Sequence, residues 1–308
     1  MLAVAAPAPD DRGSAAWAFE VKWDGVRCVV GTRGDGTVRL GARTGTDITA
    51  RYPELAALGA RLRGRDAVLD GEVVVLDEGG RPDFGLLQRR MGVTGPGRAA
   101  ALARTLPVRL VLFDITRLDG ASLLRVPYEE RRGLLAGLGL DDGPHWSVPA
   151  HLRGRGHEAW RTTLDHGYEG IVAKRLSSPY TPGVRSPHWR KTRHLVTLDV
   201  VLGGWNEGRG GLGGLPGSVL VGVAEGAGLR YAGAVGSGLS GDERRELARY
   251  FRVLARDTSP FAGPVDVAAP HFAEPRLVAE VAFSGWTSSG LLRQPVWHRL
   301  RPDLTRLD

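Results

Sequence analysis

The segment 19–27 begins with apolar and charged residues that alternate from Phe19 to Asp24, a pattern typical of a β-strand with one buried face. The alternation places Phe19, Val21 and Trp23 on an apolar face. It places Glu20, Lys22 and Asp24 on the opposite, charged face. An amine therefore lies between two carboxylates. The exposed face of a half-buried antiparallel strand commonly carries such mixed charge, so the pattern alone leaves a structural and a functional interpretation open.

Further apolar runs predict the rest of a domain that mixes helices and strands. Strands are expected in three more segments, residues 38–42, 67–76 and 110–115. The first of these would pair with the strand at 19–27 across a glycine turn, and residues 128–138 have the periodicity of a helix. Asp70 and Glu72 interrupt one apolar run. Because burial of an unpaired charge is costly, they need a salt bridge, a ligand or a metal as a partner.

The pattern changes at about residue 195 to short strands. Four of them are expected, at residues 196–204, 217–224, 229–235 and 277–283. A helix lies between the last two, since Ser240 and Glu243 have the spacing of a capping box and apolar residues follow at helical intervals. This order predicts a small Greek-key barrel of the OB type. The glycine-rich residues 203–217 lead into a strand, so we expect a flexible hairpin there and no dinucleotide site.

Composition and charge narrow the class of protein. The 308 residues divide into an expected α+β domain of residues 1–194 and an expected all-β domain of residues 195–308. A net charge of +7 fits a polyanionic partner, although a generic basic surface gives the same value. The single cysteine, Cys28, excludes a disulfide framework and a cysteine-rich metal site. No run approaches the roughly 18 apolar residues of a membrane span, so we expect a cytoplasmic protein without membrane contact.

Lysine is rare in a chain that otherwise uses arginine as its cation. Among 41 lysines and arginines, the only lysines are Lys22, Lys174 and Lys191. Arginine keeps its proton in proteins and cannot act as an amine nucleophile, whereas lysine can when desolvation and neighbouring charges lower its pKa. We therefore interpret Lys22 as a candidate covalent nucleophile and the other two lysines as candidate members of the same site.

Residues 22–27 spell Lys-x-Asp-Gly-x-Arg and resemble the nucleotide-attachment motif of the covalent nucleotidyltransferases. That superfamily includes ATP-dependent DNA ligases, RNA ligases and mRNA capping enzymes, whose motif lysine attacks the nucleotide α-phosphate. Further segments resemble the other motifs in the family's order, at Arg43, residues 70–72, Phe113, residues 169–174, residues 185–191 and residues 301–303. The resemblance is closest to the ligase domain of bacterial end-joining ligases. It implies an α+β nucleotidyltransferase (adenylation) domain with antiparallel sheets, followed by an OB-fold domain.

The resemblance implies a role for each matched residue. Adenine would be held by Glu20 and Phe113, the latter by stacking. Ribose and phosphate would be engaged by Arg27, Arg43 and Glu72. Charge on the α-phosphate would be stabilised by Lys174, Arg185 and Lys191. A divalent metal would be placed by Glu169 with Glu72, and the final motif, with Arg301 and Asp303, would act in the adenylation step.

The chain departs from the family pattern at several positions. Leu304 stands where the final motif usually has a lysine, which predicts slow self-adenylation. Arg193 replaces the second lysine of the preceding motif and keeps the charge with a different geometry. Glu169 and Lys174 are an odd number of residues apart, so strict alternation places them on opposite faces of a strand. Either an irregularity at Gly170 brings both into the site or one of them lies outside it.

The combined interpretation is an ATP-dependent DNA ligase that seals 5′-phosphate/3′-hydroxyl breaks through lysyl-AMP and DNA-adenylate intermediates. We expect ATP and Mg²⁺ or Mn²⁺ as cofactors, nicked or broken double-stranded DNA as substrate, and repair or end-joining proteins as partners of a monomer in the bacterial cytosol or nucleoid. Two alternatives stay open. An RNA ligase or capping-type enzyme would use RNA or GTP, and a non-catalytic accessory protein would bind DNA in a salt-sensitive way without AMP transfer.

Overall fold

The computed structural model of this chain describes residues 1–208, 210–226, 228–287 and 289–304. The chain forms two compact units, Met1–His194 and Leu195–Asp308. The first unit combines two largely antiparallel sheets with helices, and the described part of the second is an antiparallel sheet with one α-helix. These architectures confirm the predicted α+β class for the first part of the chain and the predicted all-β class for the second.

The strands of the first unit are β1 (Leu2–Ala5), β2 (Trp17–Val21), β3 (Val26–Thr32), β4 (Val38–Ala42), β5 (Ala67–Val74), β6 (Arg109–Leu118), β7 (Ala121–Ser122), β8 (Trp146–Ser147), β9 (Leu152–Arg153), β10 (Gly170–Arg175) and β11 (Arg185–Arg193). Its helices are α1 (Ala57–Arg61), α2 (Phe84–Met91), α3 (Pro96–Thr105), α4 (Tyr128–Ala136) and α5 (Gly156–Asp165). The strands predicted at 38–42, 67–76 and 110–115 are β4, β5 and β6, and the helix predicted at 128–138 is α4.

Two sheets divide these strands between them. The first sheet has the order β1-β11-β10-β2-β9, and the second has the order β4-β3-β5-β6-β7, with β8 added beside β6. All pairs are antiparallel except β1 with β11 and β6 with β8. Antiparallel sheets in the nucleotidyltransferase part were expected, and the two parallel edge pairs are an addition that the strand pattern does not reveal.

The segment predicted as one strand at residues 19–27 is two strands in different sheets. The prediction was wrong because β2 ends at Val21 in the first sheet and β3 begins at Val26 in the second. Gly25 lies in the break, where the backbone passes so close to β5 that a Cβ atom would collide with the Val73 carbonyl oxygen. Lys22 therefore lies at the joint between the two sheets.

The core of the first unit lies under the second sheet and includes buried charge pairs. Leu69, Val73 and Leu112 belong to the large apolar cluster on this side of the sheet. Asp114 accepts two hydrogen bonds from Arg131 at 2.8 and 3.0 Å, and neither side chain is exposed. Buried ion pairs of this geometry are stable only while both partners are present, so the pair fixes α4 on β6.

The second unit carries strands β12 (Val196–Glu207), β13 (Pro216–Glu225), β14 (Gly228–Val235), β15 (Ala255–Arg256), β16 (His271–Phe283) and β17 (Val296–Leu300), and the helix α6 (Gly241–Val253). The described strands pair antiparallel in the order β14-β13-β12-β16-β15, with β17 beside β16. The predicted capping box begins α6, since Ser240 and Glu243 bond to each other's backbone. Strands β12 and β13 form the hairpin predicted around residues 203–217.

Candidate active site

A cavity of about 200 Å³ opens where the two sheets of the first unit meet. One wall comes from β1, β2, β10 and β11, and the other from β3, β5 and β6. Among the residues predicted for the site, the cavity is lined by Glu20, Lys22, Arg27, Arg43, Glu72, Phe113, Lys174, Arg185 and Lys191. Residues separated by up to 171 positions in the sequence, Glu20 and Lys191, thus converge on one concave surface.

Lys22 is held at the cavity by its backbone and by its amine. Its backbone N–H donates to the Gly170 carbonyl oxygen at 2.9 Å. Its Nζ is ion-paired with Glu169, whose other carboxylate oxygen accepts from the Arg193 Nε at 2.7 Å. Both Lys22 and Glu169 are largely buried. Arg193, the position that departs from the family pattern, therefore contacts the candidate metal ligand directly.

Gly170 separates Glu169 from β10, the strand that carries Lys174. Its φ of +149° is unfavourable for a residue with a side chain, and a Cβ atom would collide with the Thr192 carbonyl oxygen. Lys174 lines the cavity, whereas Glu169 does not line it and reaches it through its ion pair with Lys22. The described pairing of β10 shows no bulge, so the role of Glu169 in the site stays a prediction.

Lys174 lies in an aromatic environment at one end of the cavity. Its Nζ is 2.7 Å from a Glu20 carboxylate oxygen and donates to the Phe113 carbonyl oxygen at 3.2 Å. The same Nζ is 4.4 Å from the centres of the Phe113 and Trp189 rings. Burial lowers the pKa of Lys174, and the Glu20 carboxylate opposes that shift.

Arg27 is oriented by a buried network that sequence patterns did not predict in full. Its guanidinium donates to both Asp70 oxygens, at 2.8 and 2.5 Å. The Tyr180 hydroxyl donates to Asp70 at 2.6 Å and accepts from Arg27 at 3.2 Å. Burial raises the pKa of Tyr180, so this hydroxyl keeps its proton. The partner required by the carboxylate at position 70 is therefore Arg27, supported by a tyrosine 110 residues away.

The phosphate-binding candidates Arg185 and Lys191 line the cavity from β11. Arg185 donates from Nη1 to the Ala3 carbonyl oxygen at 2.7 Å, which ties β1 to the cavity wall. Desolvation lowers the pKa of Lys191, and the neighbouring cations Arg193, Lys22 and Arg185 lower it further. This end of the cavity is a concentration of positive charge.

Glu72 has a strongly perturbed pKa. Burial is the largest cause and raises the pKa of Glu72 from 4.5 to about 8, with Arg27 and Lys22 opposing the shift and Asp70 and Glu169 adding to it. A carboxyl group of this kind is protonated near neutral pH unless a cation joins it. Perturbed carboxyls in a cleft are typical of functional sites.

We expect the variant Glu72→Gln to reduce the pH dependence of stability. In the native protein Glu72 binds its proton more tightly than in the unfolded chain, so stability falls as pH rises from about 4.5 towards about 8. The variant should gain about 4 kcal/mol in the free energy of unfolding relative to wild type between about pH 5 and about pH 8.5, since one pKa unit corresponds to about 1.4 kcal/mol. Urea denaturation in metal-free buffer measures this difference. Parallel pH profiles for the two proteins would contradict the assignment.

Arg301 and Asp303, predicted in the final motif, lie in the second unit just after β17. Arg301 donates to both oxygens of Asp199, at 2.8 and 2.9 Å, and to Asp303 at 2.9 and 2.7 Å. Leu304 is 43% exposed, so no apolar packing requires a leucine at that position. All of these contacts lie within the second unit.

Several cavity residues were missed by sequence analysis. Leu2, Ala3, Val172 and Trp189 line the cavity from strands of the first sheet. Of these, Val172 and Trp189 could have been inferred, because they lie two residues before Lys174 and Lys191, respectively, on the same face of a strand. In the described residues, no cluster of three or more histidine, cysteine, aspartate or glutamate side chains has the arrangement of a metal site. No described helix is long and apolar enough to cross a membrane.

The fold and the cavity are those of a nucleotidyltransferase, with Lys22 at the joint of two largely antiparallel sheets. The ATP dependent DNA ligase domain model matches residues 1–193, and the ATP dependent DNA ligase C terminal region model matches residues 213–304. The chain belongs to the ATP-dependent DNA ligase family.

Individual relatives agree with the family models. The chain is 43% identical over 290 residues to the multifunctional non-homologous end joining protein LigD of Mycobacterium bovis, covering 93% of this chain and 36% of that protein. It is 35% identical over 295 residues to LigD of Pseudomonas aeruginosa, covering 93% of this chain and 34% of that protein. The chain therefore spans about a third of the length of these curated relatives.

Solved structures support the fold assignment. Mycobacterial DNA ligase D complexed with ATP and MES matches with a TM-score of 0.57 at 41% identity, covering 99% of this chain and 95% of that one. A Lig E DNA ligase matches with a TM-score of 0.63 at 19% identity, covering 97% and 98%, and shows the shared fold only. The expected nucleotidyltransferase domain followed by an OB-like domain is confirmed.

Proposed function

We propose that this chain joins a 5′-phosphate to a 3′-hydroxyl in double-stranded DNA through a lysyl-AMP intermediate on Lys22. The observation that carries the proposal is that Lys22 shares one cavity with an aromatic group, Phe113 beside Lys174, and with a cationic group, Arg185 and Lys191. A nucleotide-binding site needs both an aromatic and a cationic group, because the base is planar and apolar whereas the phosphates are charged. The proposed domains are the nucleotidyltransferase domain at 1–194 and the OB domain at 195–308.

The proposed reaction has three steps. In the first, the neutral amine of Lys22 attacks the α-phosphorus of ATP, the bond to the β-phosphate oxygen breaks, pyrophosphate leaves and the amine loses a proton. In the second, an oxygen of the DNA 5′-phosphate attacks the AMP phosphorus and Lys22 leaves. In the third, the 3′-hydroxyl attacks the activated 5′-phosphate, AMP leaves and the strands are joined.

The aromatic end of the cavity would bind adenine. Phe113 offers a ring for stacking, and the Glu20 carboxylate is an acceptor suited to the exocyclic amine of adenine. Lys174 contacts both of these residues, at the base end. We therefore propose that Lys174 positions Glu20 and Phe113, in place of the α-phosphate role implied by the family resemblance.

The cationic end would bind the phosphates. Arg43, Arg185 and Lys191 line the cavity on the side where negative charge would build in the transition state, and fixed cations there lower the barrier. Arg27 is rigidly oriented by Asp70 and Tyr180, so it can present its remaining N–H groups to the ribose or phosphate without reorganising.

The carboxylates fit a divalent metal. Magnesium is usually held by one or two carboxylates together with substrate phosphates, so two suffice. Burial is the main reason for the raised pKa of Glu72, and the neighbouring carboxylates Asp70 and Glu169 raise it further, so a bound cation would favour the ionised form of Glu72. We propose that Glu169 and Glu72 hold Mg²⁺ or Mn²⁺. When bound, the ion neutralises charge on the transferring phosphoryl group.

We further propose a role in the repair of double-strand breaks, with end-joining proteins as partners, in the cytosol or nucleoid of a bacterium. The support is the name of the relatives, which are described as non-homologous end joining proteins.

The proposed ligase reaction is tested by the intact mass of the protein after incubation with Mg²⁺ and ATP, then after addition of nicked duplex. Gain of one AMP on Lys22 that is lost to nicked DNA, with a sealed product, is expected. AMP that is discharged only to RNA, or GMP in its place, would favour the RNA ligase or capping alternative.

We expect Leu304→Lys to accelerate self-adenylation about tenfold, equivalent to about 1.4 kcal/mol in the barrier. Leu304 occupies the lysine position of a motif that the family uses in adenylation, and its exposed side chain leaves room for the substitution. Single-turnover formation of lysyl-AMP measures the rate, and sealing of pre-adenylated nicked DNA is the control that should not change. Equal adenylation rates in the two proteins would overturn the prediction.

A further inference from the structure

Three aromatic side chains form a row from the cavity to the surface of the first unit. Trp23 lines the cavity, Tyr168 is half-buried and His166 is exposed. The ring centres of Trp23 and Tyr168 are 5.5 Å apart, and those of Tyr168 and His166 are 6.4 Å apart with nearly parallel planes. We call Trp23, Tyr168 and His166 the mouth aromatics.

Core packing does not account for the mouth aromatics. None of them belongs to the apolar clusters found in the described part of the chain. The ring of His166 is held in place, because its Nδ1 lies 2.8 Å from the Thr162 carbonyl oxygen at the end of α5. A fixed and partly exposed row of rings is a surface that can stack on a ligand.

The position of the row relates it to the reaction. Trp23 directly follows Lys22, and Tyr168 directly precedes Glu169, the ion-pair partner of Lys22. An AMP on Lys22 can be transferred only if the 5′-phosphate of the DNA is brought to its phosphorus. The nucleotides that follow this phosphate must therefore lie against whatever surface borders Lys22.

We propose that the mouth aromatics bind the terminal nucleotides of the DNA strand that carries the 5′-phosphate, and this inference rests on the function proposed above. Aromatic side chains that stack on bases or sugars bind nucleic acid with little sequence preference, as joining of arbitrary ends requires. Removal of one stacking ring typically weakens binding about five- to hundredfold.

The distribution of charge favours nucleic acid over a protein partner at this surface. Residues 195–308 contain twelve arginines and twelve carboxylates, so the whole formal charge of +7 belongs to residues 1–194. Arg43, Arg185 and Lys191 line the same cavity as Trp23. A polyanion is attracted to such a surface, with the cations on its phosphates and the rings on its bases and sugars.

The test separates the two chemical steps with the variant Tyr168→Ala in the full chain. Formation of lysyl-AMP from ATP, measured by intact mass, should stay within about twofold of wild type, because Tyr168 does not line the cavity proposed to bind ATP. Single-turnover discharge of AMP to subsaturating nicked duplex should fall about tenfold, with a matching rise in the Kd for the duplex. The slope of binding against salt should not change, because no phosphate contact is removed.

Two control variants accompany this measurement. Tyr168→Phe keeps the ring and should behave as wild type. Leu164→Ala removes a side chain that is 52% exposed on the neighbouring helix α5, and it should also leave discharge unchanged. If Tyr168→Ala fails to fold, Tyr168→Leu retains apolar bulk beside Trp23 and is expected to give the same loss of discharge.

A direct contact measurement completes the test. A nicked duplex with 5-iodo-2′-deoxyuridine at the 5′-phosphorylated nucleotide should photocrosslink to Trp23, Tyr168 or His166, as identified by peptide mass spectrometry. Unchanged discharge in Tyr168→Ala, an equal loss of adenylation and discharge, or crosslinks confined to other residues would overturn the proposal. A wild-type protein that gains no AMP would instead refute the proposed function itself.

Discussion

Lys22→Arg should form no lysyl-AMP, a loss of at least about 10⁴-fold, although the positive charge is retained. The guanidinium of arginine does not lose its proton in proteins and so provides no lone pair for attack on the α-phosphorus. Lys22 is ion-paired with Glu169, and arginine can also make that pair. The variant therefore isolates nucleophilicity from charge.

Intact mass spectrometry of protein first treated with pyrophosphate gives the result directly. The matched control is Lys191→Arg, which changes another cavity lysine and should be slowed but still accept AMP. Sealing of pre-adenylated nicked DNA should be reduced far less than adenylation in Lys22→Arg, because that step does not use the lysine as a nucleophile. Retained AMP transfer by Lys22→Arg would refute the covalent mechanism.

Asp70→Ala should destabilise the protein by about 3 to 5 kcal/mol, because removal of one partner leaves the other charge of a buried pair uncompensated. Asp70 is only 1% exposed and accepts hydrogen bonds from Arg27 and Tyr180. The arginine would then lose the orientation that we propose for nucleotide binding, so adenylation should also fall.

Urea denaturation followed by circular dichroism measures the effect of Asp70→Ala on the free energy of unfolding. Tyr180→Phe is the control, since it removes a single hydroxyl from the same network and should cost about 1 kcal/mol. A smaller loss for Asp70→Ala than for Tyr180→Phe would show that Arg27 finds another partner.

The site was more predictable from sequence than the path of the chain through it. Short motifs specified chemistry at Lys22, Glu72 and Phe113, and the structure places all three on one cavity. Helix α4 and the capping box of α6 were predictable because local periodicity and hydrogen bonding determine them.

The end of β2 could not be predicted, because the alternation of apolar and charged side chains runs past it to Asp24. The tight approach of Gly25 to Val73 lies directly before β3 and joins residues 48 positions apart. For the same reason the role of Tyr180 was not apparent. Its hydroxyl is meaningful only beside Asp70, and no local pattern connects the two.

The scarcity of lysine allows the candidate site of this protein to be labelled with reagents that react with amines. All three lysines line the same cavity, so every lysine side chain in the chain reports on one site. A reagent that acylates primary amines would meet only these three lysines and the Met1 amine, and a bound nucleotide would protect the lysines of the cavity. Digestion after arginine places Lys22, Lys174 and Lys191 in separate peptides, which lets a single peptide map distinguish the modified positions.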